Sequence, residues 1–283
     1  MSWAAHELES YFIQKHTRFK VSYLAILSGC LLPDLFTKLP VYGFRIGDFT
    51  LKASDPAQYH RGWPGVGFTH SLLFGVVVAT VVLGATRNQA WFLGLILGQW
   101  AHVLTDTLDS VGTMLLFPFT TVHYSLHMWA YAAQAGRYGD AAAYYSSLGG
   151  VWDFLWLVLA LSGWQVFTRR FFFETVVPND PVWGWLRRRF DLSDRAMLAL
   201  YRSYFLYGGC RIFAWFIWSR VTVKAPLDWS WGGPYFVTAV ALPQQTWASF
   251  AVQTVLGSAG LGLLLYLSWQ AFGARLWNRC PVG

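Results

Sequence analysis

The chain reads as an all-α, polytopic helical membrane protein with about six or seven apolar helices. Three observations predict this. Hydrophobic residues make up 55% of the chain and charged residues only 12%, where soluble domains average about 25% charged. Uncharged or nearly uncharged apolar runs recur at 71–86, 91–106, 151–168, 203–219 and 247–272. The 17 Trp and 14 Tyr suit aromatic belts at two membrane–water interfaces.

The elements follow in order. Residues 3–15 form a short amphipathic helix with Trp3, Leu8 and Phe12 as its apolar points. Thr17-Arg18-Phe19-Lys20 reads as a turn. Residues 21–32 run apolar into Leu31-Leu32-Pro33-Asp34, where Pro33 ends the helix. Neither piece covers ~30 Å of hydrocarbon alone. They read as a helical hairpin that brings His6 near Asp34. Residues 35–69 look like loop. The helices at 71–86 and 91–106 are joined by Arg87-Asn88-Gln89 and must be antiparallel neighbours. His70 and Asp106 therefore lie at the same end of that pair. Residues 107–150 are mixed, with helical patches at 121–134 and 140–147. A span at 151–168 ends at Arg169-Arg170, and 171–200 reads as a basic loop around Arg187-Arg188-Arg189. Spans at 203–219 and 247–272 complete the chain. The organisation is a metal-site helical core with its membrane hairpin over 1–150, then further transmembrane helices and a basic cytoplasmic loop over 151–283.

Charge and cysteine content narrow the function classes. The net charge is +7, but Lys and Arg gather opposite the His70 end, as cytoplasmic loops do. That distribution excludes nucleic acid as the reason for the charge and puts the His70 end outside the cytoplasm of a bacterial or archaeal plasma membrane. Arg187-Arg188-Arg189 reads as an anionic-lipid contact. Glu7 and Glu9 stand where a signal peptide would carry basic residues, so no cleavable leader is expected. Cys30, Cys210 and Cys280 are scattered packing residues with no disulfide or metal spacing.

The chemistry concentrates at helix ends on one face. His102 and Asp106, four apart, share a helix face and can grip one divalent cation. His6 with Glu7, Asp34 after Pro33, and Thr69-His70-Ser71 stand at the same face. Singly, each has a plainer reading. His6 could be an interfacial histidine, Asp34 a turn or helix cap, His70 a helix-start residue, and His102 and Asp106 an internal hydrogen-bonded pair. Together, imidazoles and carboxylates in this number form the usual ligand set for zinc, with manganese and iron(II) as the other candidates. A paired-metal site could clamp a phosphoryl group, and His60-Arg61 adds donors for anionic oxygens. Asp106 or Glu7 could serve as general base. His123 and His127, again four apart on an expected helix, extend the site, bind substrate, or simply pack. Asp109 is either an orienting partner for a ligand histidine or a loop carboxylate.

The series His6, Gly29-Cys30-Leu31-Leu32-Pro33-Asp34, His60-Arg61-Gly62, Thr69-His70-Ser71-Leu72-Leu73, Gly98-Gln99-Trp100-Ala101-His102-Val103-Leu104-Thr105-Asp106 and Leu116-Phe117-Pro118-Phe119 resembles the YdjM-type membrane-bound metal-dependent hydrolases. That group is in turn similar to the zinc-dependent phospholipase C superfamily of helical phosphoesterases. The resemblance implies a phospholipase-C-like helical core and one to three divalent ions. It implies His6, Asp34, His70, His102 and Asp106 as metal ligands, with His60 and Arg61 matching the family's His-Arg-Gly element. The expected function is hydrolysis of a phosphoester in a lipid or lipid-linked substrate, with membrane lipids as partners. The alternatives are a non-catalytic membrane protein that binds or transports metal, and a structural scaffold with a vestigial site.

Overall fold

The computed structural model describes residues 2–42, 44–51, 67–129 and 137–232, with a few isolated positions between 263 and 271. The helices are α1 (Trp3–His16), α2 (Tyr23–Tyr42), α3 (Leu72–Thr86), α4 (Gln89–Thr105), α5 (Arg137–Tyr144), α6 (Leu148–Ser162), α7 (Arg169–Phe171), α8 (Val177–Asn179), α9 (Pro181–Phe190) and α10 (Asp194–Val221). A π-helical turn over Phe172–Val176 joins α7 to α8. The fold is helical, with one small addition to the all-α expectation. β1 (Phe44–Ile46) and β2 (Phe49–Leu51) pair antiparallel inside the stretch expected to be loop, Phe44 opposite Leu51.

No described helix is long and apolar enough to cross a membrane. The 15 residues of α3 and 17 of α4 reach about 23 and 26 Å at 1.5 Å per residue. Both fall short of the ~30 Å hydrocarbon core. The expected span at 151–168 is likewise shorter, because α6 ends at Ser162. The expected span at 247–272 falls almost wholly outside the described residues.

Three expectations need correction. First, α1 is not a one-sided amphipathic helix: every residue from Ala4 to Tyr11 is buried. The reason is its surroundings, since α2, α4, α6 and α10 all pack on it. Second, Pro33 does not end α2, which continues to Tyr42. Proline removes one backbone hydrogen bond and disfavours a helix interior by about 3 kcal/mol, but here packing against α1 and α4 outweighs that. The Pro33 carbonyl also accepts a bond of 3.0 Å from the Thr69 hydroxyl. Third, residues 171–200 are not a loop. Phe172, Val176, Trp183, Met197 and Tyr201 form a buried core with Leu8, Tyr11 and Tyr23. The arginines that suggested a loop lie outside that core, where exposed Arg169 and Arg187 pair with Asp194.

This third segment braces the front of the molecule. The Tyr11 hydroxyl donates to the Tyr201 carbonyl at 2.6 Å. Asp180 is fully buried and accepts from the Leu24 amide at 3.1 Å and from the Ser22 hydroxyl. It thus satisfies backbone donors at the start of α2, which otherwise have no helical partner. Burial pushes the Asp180 carboxyl up to about 7 despite these donors. One hydrophobic core therefore draws on residues from both sides of position 150.

Candidate metal centre

The centre begins with the close approach of two backbones. Gly98 on α4 faces α2 so tightly that a Cβ there would sit 2.0 Å from the Ile26 carbonyl oxygen. Small residues permit such approaches between helices. One turn further along α4, His102 reaches the α2 backbone, and its Nδ1 donates to the Cys30 carbonyl at 2.6 Å. A carbonyl can only accept, so this bond fixes the tautomer and leaves Nε2 with its lone pair.

His70 is placed by a short 3-10 turn, Gly67–His70. Ser71, not His70, caps α3, accepting from the Phe74 amide at 3.2 Å. The Gln99 amide of α4 donates to the carbonyls of Thr69, at 3.2 Å, and Ser71, at 2.9 Å. That pair of bonds holds the turn against the helix that carries His102. Thr69 gives its hydroxyl proton to Pro33 and stands 3.2 Å from His70 Nδ1. The imidazole therefore donates through Nδ1 and again leaves Nε2 free for a ligand role.

The three remaining ring nitrogens converge on one carboxylate. Asp106 Oδ2 lies 3.2 Å from His102 Nε2 and 3.6 Å from His70 Nε2, and Asp106 Oδ1 lies 3.5 Å from His6 Nε2. Asp34 Oδ1 is 3.5 Å from His70 Nε2. One ligand atom each from Asp34, His70, His102 and Asp106 lie within 4.8 Å of one another. The His6 ring stacks on His102, centroids 3.6 Å apart and planes 13° from parallel. All five side chains are buried, the imidazoles at 0% exposure.

The donor set fits a divalent cation. Among the described residues none of the three Nε2 atoms has a hydrogen-bond partner within the usual geometry, and each faces only a carboxylate oxygen; buried polar atoms so placed call for an explanation. Ligand atoms around a tetrahedral zinc, with bonds near 2.1 Å, stand about 3.4 Å apart. The separations of 3.2–3.6 Å from Asp106 match that spacing. Burial pushes His70 down to about 4, with Asp34 only partly offsetting it. Its imidazole is neutral and ready to ligate. Burial acts on His6 in the same direction, but Glu9 and Asp106 overcome it and raise this group to about 9. Without a cation, His6 therefore carries a proton at neutral pH.

The structure brings His6, Asp34, His70, His102 and Asp106 together and leaves other candidates elsewhere. Glu7 turns to α10, where its Oε1 accepts from Arg211 Nη1 at 2.8 Å. His60 and Arg61 lie outside the described residues. His123 and His127 are not on a helix. Residues 107–129 fold back on themselves, with the Leu126 amide on the Thr107 carbonyl at 2.7 Å and Thr113 bridged to Tyr124. A four-residue spacing has no meaning as a shared face there. His123 Nδ1 faces the Val111 carbonyl at 3.2 Å, and His127 is exposed. Asp109 shapes the turn, accepting from the amides of Val111 and Gly112, each at 3.0 Å.

Sequence reasoning missed the groups that aim the ligands: Glu9, the Cys30 carbonyl, Thr69 and Gln99. Two carried a usable signal. Glu9 lies three residues after His6, and Gln99 three before His102, the spacing of neighbours on a helix face.

A buried His–Asp cluster where α1, α2, α4 and the turn before α3 meet defines a helical protein built around a candidate metal centre. The chain belongs to the YdjM inner membrane protein family, which matches residues 4–172. That segment contains all five clustered side chains. No curated protein and no solved structure matches the chain, and a likeness to phospholipase C is not shown.

Proposed function

We propose that this protein is a membrane-bound metal-dependent hydrolase acting on a phosphoester of a lipid or lipid-linked substrate, from the extracytoplasmic face. One observation carries the reading: three orphaned imidazole nitrogens converge on the carboxylate of Asp106. His6, His70 and His102 would hold the cation through Nε2, and Asp34 and Asp106 would balance its charge. Zinc suits this mixture of nitrogen and oxygen donors, with manganese or iron(II) next. When bound, such a cation polarises a phosphoryl oxygen and makes a water acidic near neutral pH. The burial of the cluster excludes bulk water and strengthens every charge interaction within it. His60 and Arg61 remain the proposed contacts for the anionic group.

A lipid-borne substrate is supported by the surface beside the centre. Residues 110–136 contain no Asp, Glu, Lys or Arg. The loop they begin is tied to the head of α3 by the Leu72 amide on the Leu115 carbonyl at 3.0 Å. Its outer side exposes Leu116, Val122, Leu126 and above all Phe119, at 85%. Trp231 is pinned to it through the Leu126 carbonyl at 3.2 Å and is exposed, as is Trp229. An exposed tryptophan with its N–H satisfied, as Trp231 is, suits a headgroup zone.

One observation favours the second reading, a non-catalytic metal-binding or transport protein. The five side chains are almost wholly closed off, and closed sites are typical of structural metals. Elemental analysis beside an assay on phosphorylated lipids separates the two. Bound metal with turnover supports the hydrolase, bound metal without turnover supports the alternative, and no metal refutes both.

A further inference from the structure

Stacking on His102 fixes the plane of the His6 ring. It does not choose which nitrogen points inward, because a flip about the ring axis exchanges the two edges. Glu9 makes that choice. Its Oε2 stands 3.3 Å from His6 Nδ1, which leaves Nε2 facing Asp106.

Glu9 is an unsuitable residue for its position on packing grounds. It is buried at 0% exposure, and its second oxygen, Oε1, has no hydrogen-bond partner among the described residues. The Arg211 guanidinium that reaches α1 is engaged by Glu7. A buried carboxylate used at one oxygen is less favourable than an apolar side chain of the same size. What it supplies and leucine cannot is a fixed acceptor for an imidazole N–H.

The three histidines share one design. Each Nδ1 meets an oxygen: the Cys30 carbonyl for His102, the Thr69 hydroxyl for His70, and Glu9 for His6. Each Nε2 is left without a hydrogen-bond partner among the described residues and faces a carboxylate oxygen of Asp106. Partners of this kind orient a ligand imidazole and make it a stronger donor, and a carboxylate does so most strongly.

We propose that Glu9 is a positioning residue of the metal centre, holding His6 so that Nε2 is presented to the cation. The proposal rests on the cluster being a metal centre, and its test keeps the two claims apart. Wild type, Glu9→Leu, Glu9→Gln, His6→Ala and the double variant of Glu9→Leu with His6→Ala are purified, stripped with chelator and titrated with zinc against a competing chelator. Glu9→Leu is expected to weaken zinc binding by roughly 10–100-fold, the usual effect of losing such a partner. Glu9→Gln keeps an acceptor oxygen without the charge and should recover part of that loss. In the His6→Ala background Glu9→Leu should add nothing, because residues acting as one unit are not additive. Unchanged affinity in Glu9→Leu and Glu9→Gln, or losses that multiply in the double variant, would overturn the role of Glu9 alone. Wild type that takes up no zinc would overturn the centre itself.

Discussion

His102 and Asp106 stand one turn apart, with Nε2 of the first 3.2 Å from Oδ2 of the second, and both are closed off from solvent. Such a pair would ordinarily be a hydrogen bond. Here the same carboxylate also faces His70 and His6, and the three imidazoles each spend their other nitrogen on an oxygen. Asp106→Asn keeps the shape and removes the charge that all three share. We expect it to lose essentially all bound metal, measured by elemental analysis, with helix content by circular dichroism unchanged. Metal content equal to wild type would show that Asp106 is only a hydrogen-bond acceptor.

The centre depends on residues that touch no ligand. Gly98 lies one turn before His102 and lets α4 approach α2 closely enough for the Cys30 carbonyl to reach His102 Nδ1. Gly98→Ala places a methyl group against the Ile26 carbonyl, which no side-chain rotation can relieve. Overpacking of this kind destabilises by about 1–3 kcal/mol, and an unyielding backbone contact belongs at the upper end. Thermal unfolding should show that loss, and zinc affinity should fall with it. Alanine at Gly84, where a Cβ meets nothing, is the control.

These two sites show what the sequence could and could not reveal. The His102–Asp106 spacing and the antiparallel pair at 72–105 were legible, because a short connection between apolar helices dictates both. The Thr17–Lys20 break was legible from its polarity. Pro33 misled because an intrinsic preference of a few kcal/mol is small beside the packing of a buried helix. His123 and His127 mislead because helical spacing has no meaning where the backbone pairs with Thr107, Leu108, Ser110 and Thr113. The arginines near 187 misled because their charge hid the inward aromatic residues Phe172, Trp183 and Tyr201 between them. Glu9 stands out in the sequence only for its bearing on a leader. Its partner His6 is three residues away, but the significance of the pair lies in the contacts of His6 with His102 and Asp106 across the fold, which one-dimensional spacing does not carry.

The metal-free protein should lose stability as pH rises from about 7 to 9. His6 is raised from 6.5 to about 9. A group whose pKa is higher folded than unfolded stabilises fully below its unfolded value, and that contribution is lost as pH climbs through the folded one. His70, lowered to about 4, acts only below 6.5, and the raised Asp180, half titrated at about 7, completes its effect roughly one unit higher. The comparison with a His6 variant separates the His6 contribution from that of Asp180. Unfolding midpoints of stripped protein across that range should decline, and His6→Gln should flatten the curve. Zinc binding should release a proton in buffer at pH 7.5, because a ligand imidazole must be neutral. A flat profile in wild type would mean that Glu9 and Asp106 do not hold a proton on His6.

If substrate arrives from the bilayer, the apolar loop beside the centre should matter for lipid and not for soluble esters. Phe119 is exposed at 85% and makes its backbone bond to Leu116 at 2.9 Å through main-chain atoms only. Phe119→Asp therefore leaves folding intact, and exposed substitutions of this kind change stability by about 0.5 kcal/mol or less. It does place a charge where an aromatic ring would enter the headgroup zone, which is unfavourable. The expected result is a several-fold fall in turnover of a phosphorylated lipid in vesicles, with hydrolysis of a water-soluble phosphoester and zinc content unchanged. Equal loss on both substrates would assign Phe119 to the centre and not to the bilayer. No loss on either would mean that the loop faces water, and that a lipid substrate, if there is one, enters by another side.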